Sequence, residues 1–136
     1  MTAENLLELE THKSQKWITA MFTPESAQMA AEVGEGYAGF VDDKLVGVCG
    51  VYPTWEGRGI GWALFAPEAG KCMRLITRMS KEFLDLCTEY NRVECTVDVE
   101  FEAGHKWAKL LEFKEEGLLR KYLPNGNDVI MYSRVK

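Results

Sequence analysis

The centre of this chain contains a strand pattern, a long helix pattern and a second strand pattern in succession. Residues 60–66 are a short apolar run, which is typical of a strand that is buried on both faces. Residues 69–90 repeat apolar side chains at helical spacing, and the predicted inward stripe consists of Cys72, Ile76, Met79, Phe83, Leu86 and Tyr90. Residues 92–101 alternate apolar and polar side chains, as a half-buried strand does. Because a helix joins the two strands, they are expected to pair in parallel through a right-handed crossover.

A hairpin is predicted before this central unit. Strand patterns at 37–41 and 44–52 are joined by a two-residue Asp-Asp turn. Gly47 and Gly50 lie inside the second strand pattern, where glycine indicates a bulge or a close approach of another backbone.

A short helix and a second hairpin are predicted after the central unit. The helix covers 103–111, with Trp107, Leu110 and Leu111 facing inward. The hairpin joins strand patterns at 118–123 and 128–134 through the sequence Pro-Asn-Gly-Asn, which is a strong turn signal.

The N-terminal third is predicted to be helical. The sequence Thr-Pro-Glu at 23–25 favours a helix start, because Thr caps a helix, Pro suits its first position and Glu suits its positive end. This helix is expected to end at Gly34. Residues 3–21 show a weaker helical pattern, for which Thr11 or Ser14 is the expected N-cap.

Length and charge limit the classes of function. The chain has 136 residues with 46% hydrophobic residues, which suits one globular domain, 1–136. A net charge of −5 argues against binding to nucleic acid, because no basic excess is present to contact phosphates. We see no signal peptide and no apolar run of membrane length, so the expected location is cytoplasmic, with no membrane partner. The four cysteines lack metal-site or redox spacing and are expected to be reduced thiols.

Four segments resemble the GCN5-related N-acetyltransferase (GNAT) superfamily: YAGFVDDKLVGVCGVYP, IGWALFAPE, RVECTVDVEF after the long helix, and AGHKWAKLLEFKEEGLLRKYLPNGNDVIMYSRV. The resemblance covers residues 37–136. It implies an α/β fold with a mixed, mostly antiparallel sheet flanked by helices, in which the family's fourth and fifth strands run parallel. Length and the Gly-His pair before an aromatic residue also resemble small GNAT-like proteins of tailed bacteriophages.

Two stretches compete for the loop that binds the coenzyme in this family. Residues 58–61, Arg-Gly-Ile-Gly, have the expected glycines, but a helix that began there would contain Pro67 in its second turn, at a cost of about 3 kcal/mol. We therefore favour residues 68–74, although they contain one glycine and lack the family's Arg or Gln. The resemblance then implies acetyl-CoA binding by Leu64, Phe65, Ala66, Gly70, Lys71, Cys72, Met73 and Arg74.

The residues that many family members use for proton transfer are missing here. Acetyl transfer to an amine needs a base for the ammonium and an acid for the leaving thiolate. The family's tyrosine in the last helix corresponds to Ala108, and a frequent glutamate before the fourth strand corresponds to Gly59.

Candidate substitutes lie at three places in the sequence. His105 begins the last helix, and imidazole exchanges protons near neutral pH; a helix-start histidine is the structural alternative. Glu100 or Asp98 lies at the polar face of the preceding strand pattern, and Tyr122 lies in the last hairpin.

The predicted function is acetyl-CoA-dependent transfer of an acetyl group to a small-molecule or protein amine. Trp55 and Glu56, in the link before the fourth strand, are candidate acceptor contacts. The alternative is a non-catalytic interaction protein, or a phage virion-assembly protein, that has the fold and a degenerate coenzyme loop. A homodimer is also compatible with the exposed edge of the last hairpin.

Overall fold

The computed structural model describes residues 1–11, 15 and 23–136. Its elements, in chain order, are α1 (Ala3–Glu8), α2 (Pro24–Val33), β1 (Glu35–Val41), β2 (Lys44–Trp55), β3 (Arg58–Phe65), a 3-10 turn (Pro67–Cys72), α3 (Met73–Leu86), β4 (Arg92–Asp98), α4 (Glu102–Leu110), β5 (Lys114–Leu119) and β6 (Val129–Val135).

The chain divides into two compact units. Unit 1 contains Met1–Pro53 and Gly61–Ile76, and unit 2 contains Thr54–Ile60 and Thr77–Lys136. The single domain expected from the chain length stays a prediction. None of the helices in the described residues is long and apolar enough to span a membrane.

The six strands form a mixed sheet in the order β1-β2-β3-β4-β6-β5. β1 pairs with β2, and β6 with both β4 and β5, in antiparallel fashion. β3 and β4 are parallel, with Arg58–Ile60 beside Arg92–Glu94. This confirms the predicted α/β fold class. The parallel strands are the third and fourth here, not the fourth and fifth, because the described residues before β1 contain helices α1 and α2.

The first hairpin of unit 1 agrees with the sequence in its turn and extends further at its ends. Asp42 and Asp43 have φ of 49° and 66°, the left-handed conformation that a two-residue hairpin turn requires. Gly36 and Gly50 are opposite each other, and a Cβ at Gly50 would lie 2.9 Å from the Gly36 Cα. The close backbone approach expected at Gly50 is therefore confirmed.

Helix α2 begins where the sequence predicts. The Thr23 side chain accepts a hydrogen bond from the Ser26 backbone N–H at 3.1 Å, and Ser26 Oγ accepts one from the Thr23 N–H at 2.9 Å. Helix α1 is capped by Thr2 in the same way. Of the two predicted caps, Thr11 is described and buried, whereas Ser14 and most of the segment that either residue would cap lie outside the described residues. The core of unit 1 consists of Leu6, Leu9, Ala27, Val48, Leu64 and Ala66.

Helix α3 is shorter than predicted, and its buried face is rotated. Ser80, Leu84 and Cys87 are buried, whereas Met79 and Leu86 are 55% and 77% exposed. The predicted inward positions of Met79 and Leu86 were therefore wrong. The stripe that contains Ser80 is neighbour to the predicted one on the helix surface. Because Ser80 lies in the middle of the buried stripe, this stripe is less apolar in the sequence than the one that was predicted to face inward.

The C-terminal elements of unit 2 are shifted from their predicted bounds. β4 ends at Asp98, because a turn follows in which the Phe101 N–H donates to the Asp98 carbonyl oxygen at 2.9 Å. Helix α4 buries Leu111 just past its end but leaves Leu110 63% exposed, so the inward position predicted for Leu110 was wrong.

The last hairpin also differs from the sequence pattern. β5 is Lys114–Leu119 and not 118–123, and it starts with the polar run Lys-Glu-Glu. β5 is an edge strand with mostly exposed side chains, so hydrophobic alternation does not mark it. The turn at 124–127 is confirmed, with Gly126 at φ 84°.

Candidate functional site

The glycine-rich residues 58–61 lie inside strand β3 and not in a loop. Gly59 is buried and is paired with Val93 of β4. Gly57, just before the strand, has φ 84°, and its carbonyl oxygen accepts hydrogen bonds from the Asn91 and Arg92 N–H groups. The interpretation of these glycines as a turn into a strand is confirmed.

The Arg58 side chain is held by three groups of unit 2. Its guanidinium lies 4.2 Å from the Trp55 ring centroid, donates to Thr54 Oγ1 at 2.9 Å and forms an ion pair with Glu94. Arg92 Nε donates to the other Glu94 oxygen at 2.7 Å. Glu94 is 6% exposed, whereas strand alternation placed it on the polar face; the two arginines allow its burial.

The residues after β3 form an exposed cationic corner in unit 1. Lys71 and Arg74 are exposed and stand at the end of the 3-10 turn and the start of α3. Glu68, the acid of this corner, lies 2.6 Å from Lys44 Nζ. That hydrogen bond lowers the pKa of Glu68 and raises the pKa of Lys44, so the pair stays charged and its charges cancel.

Gly70 is the open position of this corner. A Cβ built on Gly70 would have no heavy atom within 4 Å, and Ala69 beside it is buried. The absence of a side chain at Gly70 is therefore not required by packing within the described residues. Cys72 closes the turn by donating from Sγ to the Ala69 carbonyl oxygen at 3.4 Å.

Gln15 is a residue of this site that the sequence pattern did not reveal. Its side-chain Nε2 donates to the Ala63 carbonyl oxygen, and its Oε1 accepts from the Phe65 N–H, both at 2.9 Å. These two main-chain groups lie on one edge of β3, because the N–H of Ala66 points to the other side, to the Val46 carbonyl oxygen. Phe65, one of the residues that the resemblance assigns to the coenzyme, thus already has its main-chain N–H bonded to Gln15.

His105 is fixed in unit 2 by both ring nitrogens. Nε2 lies 2.8 Å from the Asp98 carbonyl oxygen, and Nδ1 lies 2.7 Å from the Tyr132 hydroxyl. Since a carbonyl oxygen only accepts, Nε2 carries a proton; in the tautomer that has its single proton on Nε2, Nδ1 accepts from the Tyr132 hydroxyl. Burial raises the pKa of Tyr132, so its hydroxyl keeps its proton.

The candidates Glu100 and Tyr122 are linked to the same place. The Glu100 N–H donates to Asp98 Oδ1 at 3.0 Å, and Asn127 Nδ2 donates to Asp98 Oδ2 at 3.0 Å. The Tyr122 N–H donates to the Asn127 carbonyl oxygen at 3.1 Å. Asp98 and Asn127 therefore connect the three proposed catalytic residues, His105 through its ring and Glu100 and Tyr122 through their main-chain N–H groups. The sequence offered no signal for Asn127 beyond its turn.

Trp55 and Glu56 lie away from this network. They adjoin the start of β3, where Arg58 is paired with Arg92 at the start of β4. His105 contacts Asp98, at the end of β4. Arg92 and Asp98 are six residues apart in the strand, which corresponds to about 20 Å. The structure does not bring the proposed acceptor residues together with His105.

The four cysteines form no disulfide, and all four lie in described residues. Burial raises the pKa of Cys95 to about 12, so this thiol stays protonated at neutral pH.

Solved structures share this fold. No protein-family model and no curated protein matches the sequence. The GNAT-family acetyltransferase from Streptococcus pneumoniae is 12% identical with a TM-score of 0.73, over 99% of this chain and 95% of that one. The ribosomal-protein-S18-alanine N-acetyltransferase from Escherichia coli is 13% identical with a TM-score of 0.72, over 98% and 85%.

A third structure contains the coenzyme. RimL, a ribosomal L7/L12 alpha-N-protein acetyltransferase in complex with coenzyme A, is 16% identical with a TM-score of 0.68, over 88% of this chain and 77% of that one. The resemblance found in the sequence is confirmed at the level of the fold: this chain has the fold of the GNAT acetyltransferases.

Proposed function

We propose that this protein is a coenzyme A-dependent N-acyltransferase that uses acetyl-CoA and an amine acceptor. One observation carries the proposal: β3 leads through a cationic corner into the fourteen-residue helix α3. The positive end of a helix and nearby Lys and Arg side chains favour a phosphate group. The fold shared with a coenzyme A complex supports this ligand.

The residues present suit the anionic end of the coenzyme. Lys71 and Arg74 are exposed cations, and Lys44 cancels the charge of Glu68, which would otherwise oppose an anion. The open space at Gly70 allows a ligand to approach the backbone. Bound acetyl-CoA would supply an acetyl group activated as a thioester.

The acceptor is proposed to be an amine of a protein or a small molecule. The similar structures include protein N-acetyltransferases and a spermidine N-acetyltransferase chimera. The net charge of −5 favours the approach of a cationic acceptor. Trp55 and Glu56 are exposed and remain proposed acceptor contacts.

Proton transfer is proposed for the network around Asp98. Glu100 is exposed and suits a base, and the exposed Tyr122 suits an acid. For His105, proton transfer would require the loss of its bond to Tyr132 or to Asp98. This geometry favours a positioning role for His105 over direct proton transfer.

Calorimetric titration with acetyl-CoA tests the proposal. We expect saturable binding by the unmodified chain, and Gly70→Val should weaken it at least about tenfold by blocking a close approach to the backbone. Gly117→Val is the matched control, since a Cβ at Gly117 also has no heavy atom within 4 Å. Gly59→Ala should affect stability and not binding, because Gly59 is buried in β3.

No detectable binding at millimolar coenzyme would overturn the proposal and favour the non-catalytic alternative. Loss of binding in Gly59→Ala with normal binding in Gly70→Val would instead return the coenzyme to residues 58–61.

A further inference from the structure

Helix α3 carries an apolar stripe that the fold leaves exposed. Leu75, Met79 and Leu86 are 49%, 55% and 77% exposed. Their spacing of four and seven residues places them on one line along the helix. This stripe is defined here as the α3 stripe.

The charges beside the α3 stripe change sign along the helix. Arg74 and Arg78 lie in its first half, and Glu82 and Asp85 lie in its second half. Asp85 is bonded to Arg134, 2.5 Å away. Among the described residues, Arg78 and Glu82 are exposed and take part in no recorded ion pair.

A surface of this kind is complementary to itself when one copy is turned by 180°. Two α3 helices in antiparallel orientation place Arg78 of each copy beside Glu82 of the other, with the two-fold axis near residue 80. The same alignment brings the two Met79 side chains together and sets Leu86 of one copy opposite Leu75 of the other. Parallel helices would instead place like charges together.

We infer that the α3 stripe is the contact surface of a homodimer with antiparallel α3 helices. The apolar residues supply contact area, and the Arg78–Glu82 pairs fix the orientation. The inference is independent of the proposed enzyme function, because Arg78, Met79 and Glu82 are not among the proposed coenzyme or catalytic residues.

Sedimentation velocity measures the association directly. One helix pair is a small interface, so we expect a reversible monomer–dimer equilibrium between about 10 µM and about 1 mM. Arg78→Glu and Glu82→Arg should each remain monomeric over this range, because each sets like charges against one another twice. The Arg78→Glu/Glu82→Arg double variant should regain the dimer, and so should an equimolar mixture of the two single variants.

Lys109→Glu is the control for a change of charge alone. Lys109 is exposed on α4, and its substitution alters net charge as much as Arg78→Glu does. It should leave association unchanged, and thermal melts of all variants establish that they are folded. A wild-type chain that stays monomeric overturns the inference and leaves the stripe to a different partner. Dimerisation of either single variant at the wild-type concentration, or a monomeric double variant, also overturns it.

Discussion

Arg58 and the buried Glu94 form a partly buried ion pair where β3 and β4 run parallel. Glu94 also accepts from Arg92, and the Trp55 ring covers the Arg58 guanidinium. Arg92 is bonded in turn to Glu116, which raises the pKa of Arg92 and lowers the pKa of Glu116. The arginine that made residues 58–61 look like a phosphate loop is therefore part of the internal structure of unit 2.

Removal of Glu94 is predicted to destabilise the fold strongly. Glu94→Ala removes the carboxylate partner of Arg58, whose side chain is only 22% exposed. Loss of one partner of a fully buried pair costs about 3–5 kcal/mol of unfolding free energy, and the partial exposure of Arg58 places the expected loss at the lower end of this range. The Arg58→Met/Glu94→Leu double variant should recover much of this loss, because no uncompensated charge remains.

Urea denaturation of both variants measures these changes. Glu89→Ala, at an exposed position, should change stability little. A Glu94→Ala variant as stable as the wild type would show that the pair has no structural role.

Periodicity and turn chemistry predicted the elements of the fold but not all of its faces. The crossover, the capped helix at Thr23 and the Asp42-Asp43 turn were predicted because each depends on neighbouring residues. The exposure of Met79 and the burial of Glu94 depend on what packs against them from distant parts of the sequence. β5 was predicted at the wrong residues for the same reason. Hydrogen bonding to β6 stabilises it as a strand, whereas its polar side chains show no alternating pattern in the sequence.

Gln15 is predicted to compete with the coenzyme for main-chain groups of β3. If the coenzyme bonds to the end of this strand, Gln15 must first release the Ala63 carbonyl oxygen and the Phe65 N–H. Gln15→Ala should then strengthen acetyl-CoA binding by about thirtyfold, since one lost hydrogen bond is worth about 1 kcal/mol and two are removed.

Titration of Gln15→Ala against Gln28→Ala tests this competition. Gln28 is exposed on α2 and bonds Glu32, so its removal should leave the dissociation constant unchanged. Equal affinities of Gln15→Ala and the wild type would mean that the coenzyme makes no use of these groups.

Tyr132 is predicted to stabilise the fold through His105. Tyr132→Phe removes the hydroxyl that His105 Nδ1 faces and leaves a half-buried ring nitrogen unpaired, which costs about 1 kcal/mol. His105→Ala should lower the melting temperature further, because the bond to Asp98 is lost as well. Tyr122→Phe is the control, since Tyr122 is exposed.

Acyl-transfer rates separate this positioning role from catalysis. With a positioning role, rates measured below the melting transitions should fall less than about tenfold in His105→Ala. A fall of about 10²-fold or more, with an intact fold and normal coenzyme binding, would instead identify His105 as the acid or base.

The part of the candidate site that lies in one continuous segment could be predicted from the sequence. The corner at 68–74 was located from Pro67 and the start of a helix pattern, which are local features. Gln15 and Tyr132 reach their partners from 48 and 27 residues away. No spacing rule in the sequence indicates such contacts, so they emerge only when the strands are assembled.

Arg134 is predicted to determine how strongly the folding stability of unit 2 falls at acid pH. It donates to Asp85 at 2.5 Å and to Glu112 at 3.4 Å, and Lys81 lies 2.7 Å from Glu112. The hydrogen bond from Arg134 lowers the pKa of Asp85, and the bond from Lys81, followed by the charge of Arg134, lowers the pKa of Glu112. A carboxyl group whose pKa is lower in the folded state stabilises the fold above its unfolded pKa. That stabilisation is lost as pH falls through the folded value.

The melting temperature should therefore be nearly constant from about pH 7 to about pH 5 and fall between about pH 4 and about pH 2. Arg134→Met should lower the melting temperature at neutral pH and make the acid fall shallower, because Asp85 then titrates closer to its unfolded pKa. Arg120→Met, at an exposed position, should keep the wild-type slope. Calorimetric melts across this range measure both quantities, and an unchanged acid slope in Arg134→Met would rule out Arg134 as its origin. Added salt should reduce the wild-type slope toward that of Arg134→Met, since the two carboxylates are exposed and their attraction to Arg134 is screened.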